Sequence, residues 1–320
     1  MASMLPPVML TLSEAQEEFQ DLLRKLRDPH NQRKLIDWIK YNWREDDDES
    51  PEGILRSIAT DIRLHLPVEA VLPSEKITVP ASGENADCDP KYTRHVDSFL
   101  YDNELLHELT AKGVIESHYC EQCGSTKTKS LTFISHSASR AQISYMYNVL
   151  LPPLEDDKVL LDVGSRLGPI LYGAYLYTNV GKIYGVELNG ELCRMQREIV
   201  MKYGFQDRIE IIDNSIERRT DLLASADIIV LNNVFEFFME PSEQTKMWKL
   251  IHGHVKKKAL LVTCPALDVT LENLPDVGID LDKWVQELDV YNMDAPDMPT
   301  DDPELKMIHL YEVLNPGKSE

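Results

Sequence analysis

Apolar positions change their spacing twice along the chain, and each change predicts a different kind of element. Between Leu12 and Trp43 they recur near helical intervals through Phe19, Leu22, Leu23, Leu26, Leu35, Ile36, Trp38 and Ile39, with Ser13 placed to cap. The acidic run Glu45 to Glu49 ends that helix, and a shorter one is predicted after Pro51 through Ile54, Leu55, Ile58 and Ile62, stopped by Pro67. Residues 1–70 therefore read as a small helical cap. Val71 to Asp89 loses all periodicity and carries Pro73, Pro80, Ser82 and Gly83, so residues 71–92 read as a linker or surface loop.

From Lys158 onward the spacing changes again, to short β-rich runs alternating with helical stretches. The predicted strands are Val159 to Val163, Ile183 to Val186, Ile209 to Ile212, Ile228 to Leu231 and Ala259 to Thr263. All are rich in Ile, Val and Leu, as strands covered on both faces are. Helices are expected over Leu167 to Tyr177, Glu191 to Tyr203, Ile216 to Leu223 and Ser242 to His252. This alternation predicts a parallel sheet with crossover helices. Asp282 to Tyr291 and Met307 to Val313 then supply a final helix and two strands of a closing hairpin, which makes the last strand antiparallel.

Polar residues at the strand ends carry the candidate chemistry. The first strand runs into Asp162-Val163-Gly164-Ser165-Arg166-Leu167-Gly168, where the chain turns tightly and passes close to a ligand before a helix begins. The second ends in Glu187, placed to accept hydrogen bonds from two ribose hydroxyls. The third ends in Asp213-Asn214-Ser215, suited to an adenine amino group. Together these strings resemble motifs I, II and III of the class I S-adenosylmethionine-dependent methyltransferases, over roughly Lys158 to the C-terminus.

The resemblance implies an α/β fold with a Rossmann-like seven-stranded sheet and an antiparallel last strand, filling residues 151–320. It implies S-adenosyl-L-methionine as cofactor. Gly164, Ser165 and Gly168, opened by Asp162, would line the methionine part, Glu187 would hold the ribose, and Asp213 with Asn214 would meet the adenine. One departure is Arg166, which stands where the family's turn has its middle glycine. Its bulk either narrows the methionine channel or points out to solvent.

The fourth strand runs into Asn232-Asn233-Val234-Phe235-Glu236-Phe237-Phe238. The carboxyl end of this strand borders the transferring methyl, so Asn232 or Asn233 is expected to orient an amine and Phe235 to wall the channel. The alternative is that Phe235, Phe237 and Phe238 are core residues under the sheet edge and the asparagines only cap the next helix. Phe237 and Phe238 read as core. Asn232-Asn233-Val234-Phe235, with Gly185-Val186-Glu187 on the second strand, is also similar to short strings in the non-SET histone lysine methyltransferases of the disruptor-of-telomeric-silencing type. The Asp294 to Glu304 loop holds Asp294, Asp297, Asp301, Asp302 and Glu304 and reads either as a solvated loop or as a guide for cationic substrates.

Residues 93–150 contain Cys120-Glu121-Gln122-Cys123-Gly124, whose two thiolates can reach one zinc ion while Gly124 permits the turn beneath it. His136, His95, His118, His107 and Cys88 are the candidates for the remaining ligands, with His95 and His136 favoured. Such a closed site would be structural. A redox pair or two small buried residues are the alternative readings. Cys193 and Cys264 read as packing residues.

The chain has 320 residues, 43% of them hydrophobic, which is enough for a sizeable core. Acidic residues outnumber basic ones by 54 to 33, for a formal charge of −21. That balance argues against nucleic acid and for a basic protein or a cationic small molecule as substrate. Five cysteines without a disulfide spacing, no leader and no membrane-length apolar run suggest an intracellular address, cytoplasmic or nuclear. The expected function is methyl transfer to an amine nitrogen. A catalytically silent scaffold with the same fold is the competing reading.

Overall fold

A computed structural model describes residues 19, 21–26, 28, 31–32, 35, 49–78, 92–116, 118–120, 128–272, 274–291 and 302–317. The chain divides into two compact units, Met1–Glu49 and Ser50–Glu320. In the first, positions 19, 21–25, 31, 32 and 35 are helical, and most of the expected Leu12 to Trp43 helix lies outside the described residues. Among the described residues no helix is long and apolar enough to cross a membrane.

The second unit opens with α1 (Pro51–Arg63), started by Pro51 and by the Ser50 side chain, which accepts from the Gly53 amide at 3.0 Å. Its apolar stripe, Leu55, Ile58, Ala59 and Ile62, is wholly buried in the core that covers one face of the sheet. Helix α1 is thus part of the same compact unit as the sheet. Its polar side is tied there too, by Tyr177 to Glu52 and by Tyr203 and Lys202 to Asp61.

Short elements follow: β1 (Thr93–His95), α2 (Asn103–Ala111), β2 (His118–Cys120), β3 (Thr128–Ser130), β4 (Thr132–Ile134) and α3 (Arg140–Tyr145). Strand β1 pairs in parallel with β4, and β2 forms an antiparallel hairpin with β3.

The sheet comprises β5 (Val159–Val163), β6 (Lys182–Glu187), β7 (Ile209–Asp213), β8 (Ile228–Asn232), β9 (Leu260–Cys264), β10 (Val285–Glu287) and β11 (His309–Val313). Its order is β10-β11-β9-β8-β5-β6-β7. Strands β5 to β9 run parallel, and β11 is antiparallel to both β9 and β10. This is a seven-stranded mixed sheet with an antiparallel last strand, as the resemblance implied. Alternation along β5 shows why both faces are covered: Leu160 enters one core cluster and Leu161 the other.

The crossover helices are α4 (Pro169–Tyr177), α5 (Gly190–Tyr203), α6 (Thr220–Ser225) and α7 (Pro241–His254). After β9 come α8 (Leu267–Glu272) and α9 (Leu281–Trp284), and α10 (Pro303–Lys306) precedes β11. The helix expected over Ile216 to Leu223 is broken at Arg219. Ile216–Arg218 forms one tight turn, started by Ser215, before α6 begins. Of the expected acidic loop, Asp294 to Glu304, residues 294–301 lie outside the described residues. Asp302 caps α10 by accepting from the Glu304 amide at 2.9 Å, a local role.

Candidate functional site

Strand order reverses between β5 and β8, and a cavity of about 820 Å³ opens at the carboxyl ends of the strands flanking that point. Register sets the polar strand ends side by side. Glu187 pairs with Asp213 and Val163 with Val186, while Asn232 lies opposite Cys264. The walls take Gly164, Glu187, Asp213, Asn214, Asn232, Asn233 and Phe235 from the expected set.

Gly164 adopts φ +75°, and a Cβ there would meet Val234 Cγ2 at 2.7 Å, so the turn after β5 closes only around a glycine. Ser165 and Gly168 do not line the cavity. The Ser165 hydroxyl bonds Gln196 Oε1 at 2.9 Å, and Gly168, at φ +81°, leaves room for the Tyr172 ring. Both support the turn from behind. Gln196 itself is fully buried and also donates to the Arg166 carbonyl at 2.7 Å, a brace the sequence reading missed. Its signal was a polar residue among Leu192, Cys193, Ile199 and Val200 on the apolar face of α5.

Glu187 is held by two backbone amides. Oε2 accepts from the Arg166 amide at 3.0 Å and Oε1 from the Asn189 amide at 2.8 Å. Burial raises its pKa above the ordinary value, partly offset by these amides. Asp162 is buried behind the turn, and burial, then the neighbouring Glu187, pushes it up to about 8. The Asn214 side chain turns back to accept from the Ser215 amide at 2.8 Å, leaving Asp213 as the exposed acid at this end.

Arg166 corrects both expectations made for it. With φ +47° its side chain leaves the turn and is buried, neither filling the channel nor reaching solvent. Nε meets Glu75 at 3.0 Å, Nη1 meets Asp97 at 2.7 Å, and Nη2 donates to the Ala70 carbonyl. The stretch read as a linker is therefore built into the site, with Ser74, Glu75 and Lys76 in the cavity wall.

At the β8 end, Asn233 has φ +48°, a left-handed conformation that asparagine tolerates, and its amide donates to the Cys264 carbonyl at 2.8 Å. Backbone geometry alone accounts for an asparagine there. Asn232 carries no such requirement. Phe235 both lines the cavity and packs edge-on against Trp248, whereas Phe237 is core as expected and Phe238 reaches the wall.

His136 also lines the cavity, between Phe237 and Phe238, with ring centroids 5.0 and 5.4 Å away. Its Nε2 lies 3.0 Å from His95 Nδ1. Burial, then Arg166 and His95, pushes His136 down to about 3, so the ring is neutral. Among the described residues no group of three or more His, Cys, Asp or Glu could hold a metal. Cys120 ends β2, Cys88 and Cys123 lie outside the described residues, and Cys193 and Cys264 are buried.

No family model matches this chain, and no curated protein does. Among solved structures the chain is similar to an RNA methyltransferase from Salinibacter ruber in complex with S-adenosyl-L-homocysteine. The identity is 15%, covering 56% of this chain and 92% of that one, with a TM-score of 0.35. An rRNA methylase from Streptococcus thermophilus gives 12% identity, 55% and 94% coverage and a TM-score of 0.36. Precorrin-6y C5,15-methyltransferase from Geobacter metallireducens GS-15 gives 15%, 56% and 86%, and 0.34. Likenesses this slight carry no argument about substrate, and the fold rests on strand order and direction. The expectation against nucleic acid draws no support from them, nor does the local similarity to non-SET histone lysine methyltransferases.

Proposed function

We propose that this chain is an S-adenosylmethionine-dependent methyltransferase acting on an amine nitrogen of a basic protein or a cationic small molecule inside the cell. The observation that carries the reading is one cavity, about 820 Å³ in volume, that joins Gly164, Glu187 and Asp213 to Asn232 and Phe235 across the switch point of the sheet. That volume suits a nucleoside bearing an amino-acid tail, and the glycine turn, the acid and the polar third strand end fit its parts in order.

The cofactor would supply an electrophilic methyl on a sulfonium. The chain's residues then have to align a neutral nitrogen and exclude water. The Asn232 side-chain carbonyl accepts an N–H of the acceptor and aims its lone pair, while Phe235 and Phe238 wall the approach. The transfer would exchange the carbon–sulfur bond for a carbon–nitrogen bond and leave the nitrogen's surplus proton to be lost to water as product departs, with Asn232 holding the acceptor and Phe235 and Phe238 closing the approach. The Arg166 guanidinium, paired with Glu75 and Asp97, leaves the methionine channel open in this reading.

Full-length protein incubated with S-adenosylmethionine and a panel of basic proteins and alkylamines is expected to release S-adenosylhomocysteine and to leave acceptors heavier by one methylene. Asn232→Ala should lower turnover roughly ten- to hundredfold through lost alignment. Asn233→Gly, which keeps the left-handed turn, should retain most of it. Cofactor that binds but passes no methyl to any amine would overturn the amine acceptor.

A structural zinc at Cys120, Cys123, His95 and His136 belongs to the same proposal. What supports it is the approach of two histidines 41 residues apart to 3.0 Å. That is near the separation of about 3.3 Å expected for two nitrogens on one tetrahedral zinc. Metal analysis should find one zinc per chain, lost in Cys120→Ser with Cys123→Ser; zinc-free folded protein would remove it.

A further inference from the structure

Residues 74–78 cross the cavity along the row of strand ends. Ser74 is tied beyond β6, where Asn189 Nδ2 donates to its hydroxyl at 2.9 Å and the hydroxyl donates to Glu191. Glu75 is fastened to Arg166 at the turn after β5. The Thr78 amide donates to the Phe237 carbonyl at 2.8 Å, beyond β8. Because the strands run β7-β6-β5-β8, Lys76 falls over the gap between β5 and β8, and it lines the cavity there.

The cations of the cavity wall separate by position. The Arg166 guanidinium is spent on Glu75 and Asp97. Arg194 stands on α5, past Asn189 and Glu191, on the β6 side. Among the described residues Lys76 is the cation of the wall at the β5–β8 end that enters no ion pair. A nucleoside held by Glu187 and Asp213 lays its tail toward this end, where Glu187 and Glu75 are the acids of the wall and the Arg166 guanidinium is already paired.

We infer that Lys76 is the counter-ion for the α-carboxylate of the cofactor's amino-acid tail, an assignment that rests on the cofactor reading above. The carboxylate needs such a partner to lie close to Glu75 and Glu187, and the anchored backbone on either side of Lys76 leaves only its side chain to order on binding. Lys76 therefore makes the site selective for S-adenosylmethionine over its decarboxylated form, which keeps the sulfonium and the amine and lacks only the carboxylate.

Calorimetric titration of the full chain with each of these two ligands tests the assignment. Native protein should prefer the carboxylated form by roughly tenfold, the worth of one charge-assisted contact at a solvated site. Lys76→Met should bind both alike, and Lys76→Arg should restore the preference. Equal affinities in native protein, or a preference that survives in Lys76→Met, would overturn the role of Lys76 and leave the cofactor site standing. Failure of native protein to bind either ligand would overturn both.

Discussion

Arg166 shows how one side chain can be recruited by a distant part of the chain. Its guanidinium, itself buried, meets Glu75 and Asp97, whose side chains are 5% and 1% exposed. Arg166→Leu would leave two buried carboxylates without a cationic partner, held only by the Leu72, Phe99 and Leu100 amides and the Ser137 hydroxyl. It is expected to cost about 3–5 kcal/mol, read as a lowered denaturation midpoint. Adding Glu75→Gln and Asp97→Asn should return much of that loss, because the uncompensated charges disappear.

A pH dependence follows from Asp162, whose carboxyl is pushed up to about 8 in the fold and titrates near 4 in the unfolded chain. Between these values the folded state holds the extra proton, so stability falls as pH rises through that window. Asp162→Asn should remove this fall. Denaturation at pH 5 and pH 8 is expected to show the variant gaining on the native protein at the higher pH. A gap that does not change with pH would contradict the assignment.

Among the elements, α1 carries the clearest consequence. Ile62 is fully buried on its apolar stripe within a core cluster shared with Leu160 and Ile183 of the sheet. Ile62→Ala should cost about 2–5 kcal/mol of the stability of the whole Ser50–Glu320 unit, in one cooperative transition. A separate early transition would instead mark α1 as an independent cap.

The five parallel strands were legible because each is a short Ile/Val/Leu run bounded by a polar end, and the helices because their apolar spacing is regular. The third crossover was misjudged where Ser215 starts a tight turn and Arg219 breaks it. The lining of the cavity was legible at Gly164, Glu187, Asp213 and Asn232, which end strands or open the turns after them. Glu75, Lys76 and His136 were not, because they reach the cavity through segments whose sequence carries no periodicity.

At the scale of the molecule, the second unit joins a sheet, a helix packed on one face and a strap across the strand ends into one body around the cavity. The strap gives the N-terminal half a direct part in the proposed chemistry, through Arg166 and the wall it completes. The central claim is that this cavity takes S-adenosylmethionine with its ribose on Glu187. Titration calorimetry on the native chain and on Glu187→Ala tests it most directly. Native protein should bind one equivalent, and the substitution should weaken binding by at least roughly tenfold through the lost hydroxyl contacts. No heat of binding from well-folded native protein, or an affinity untouched by Glu187→Ala, would contradict the account.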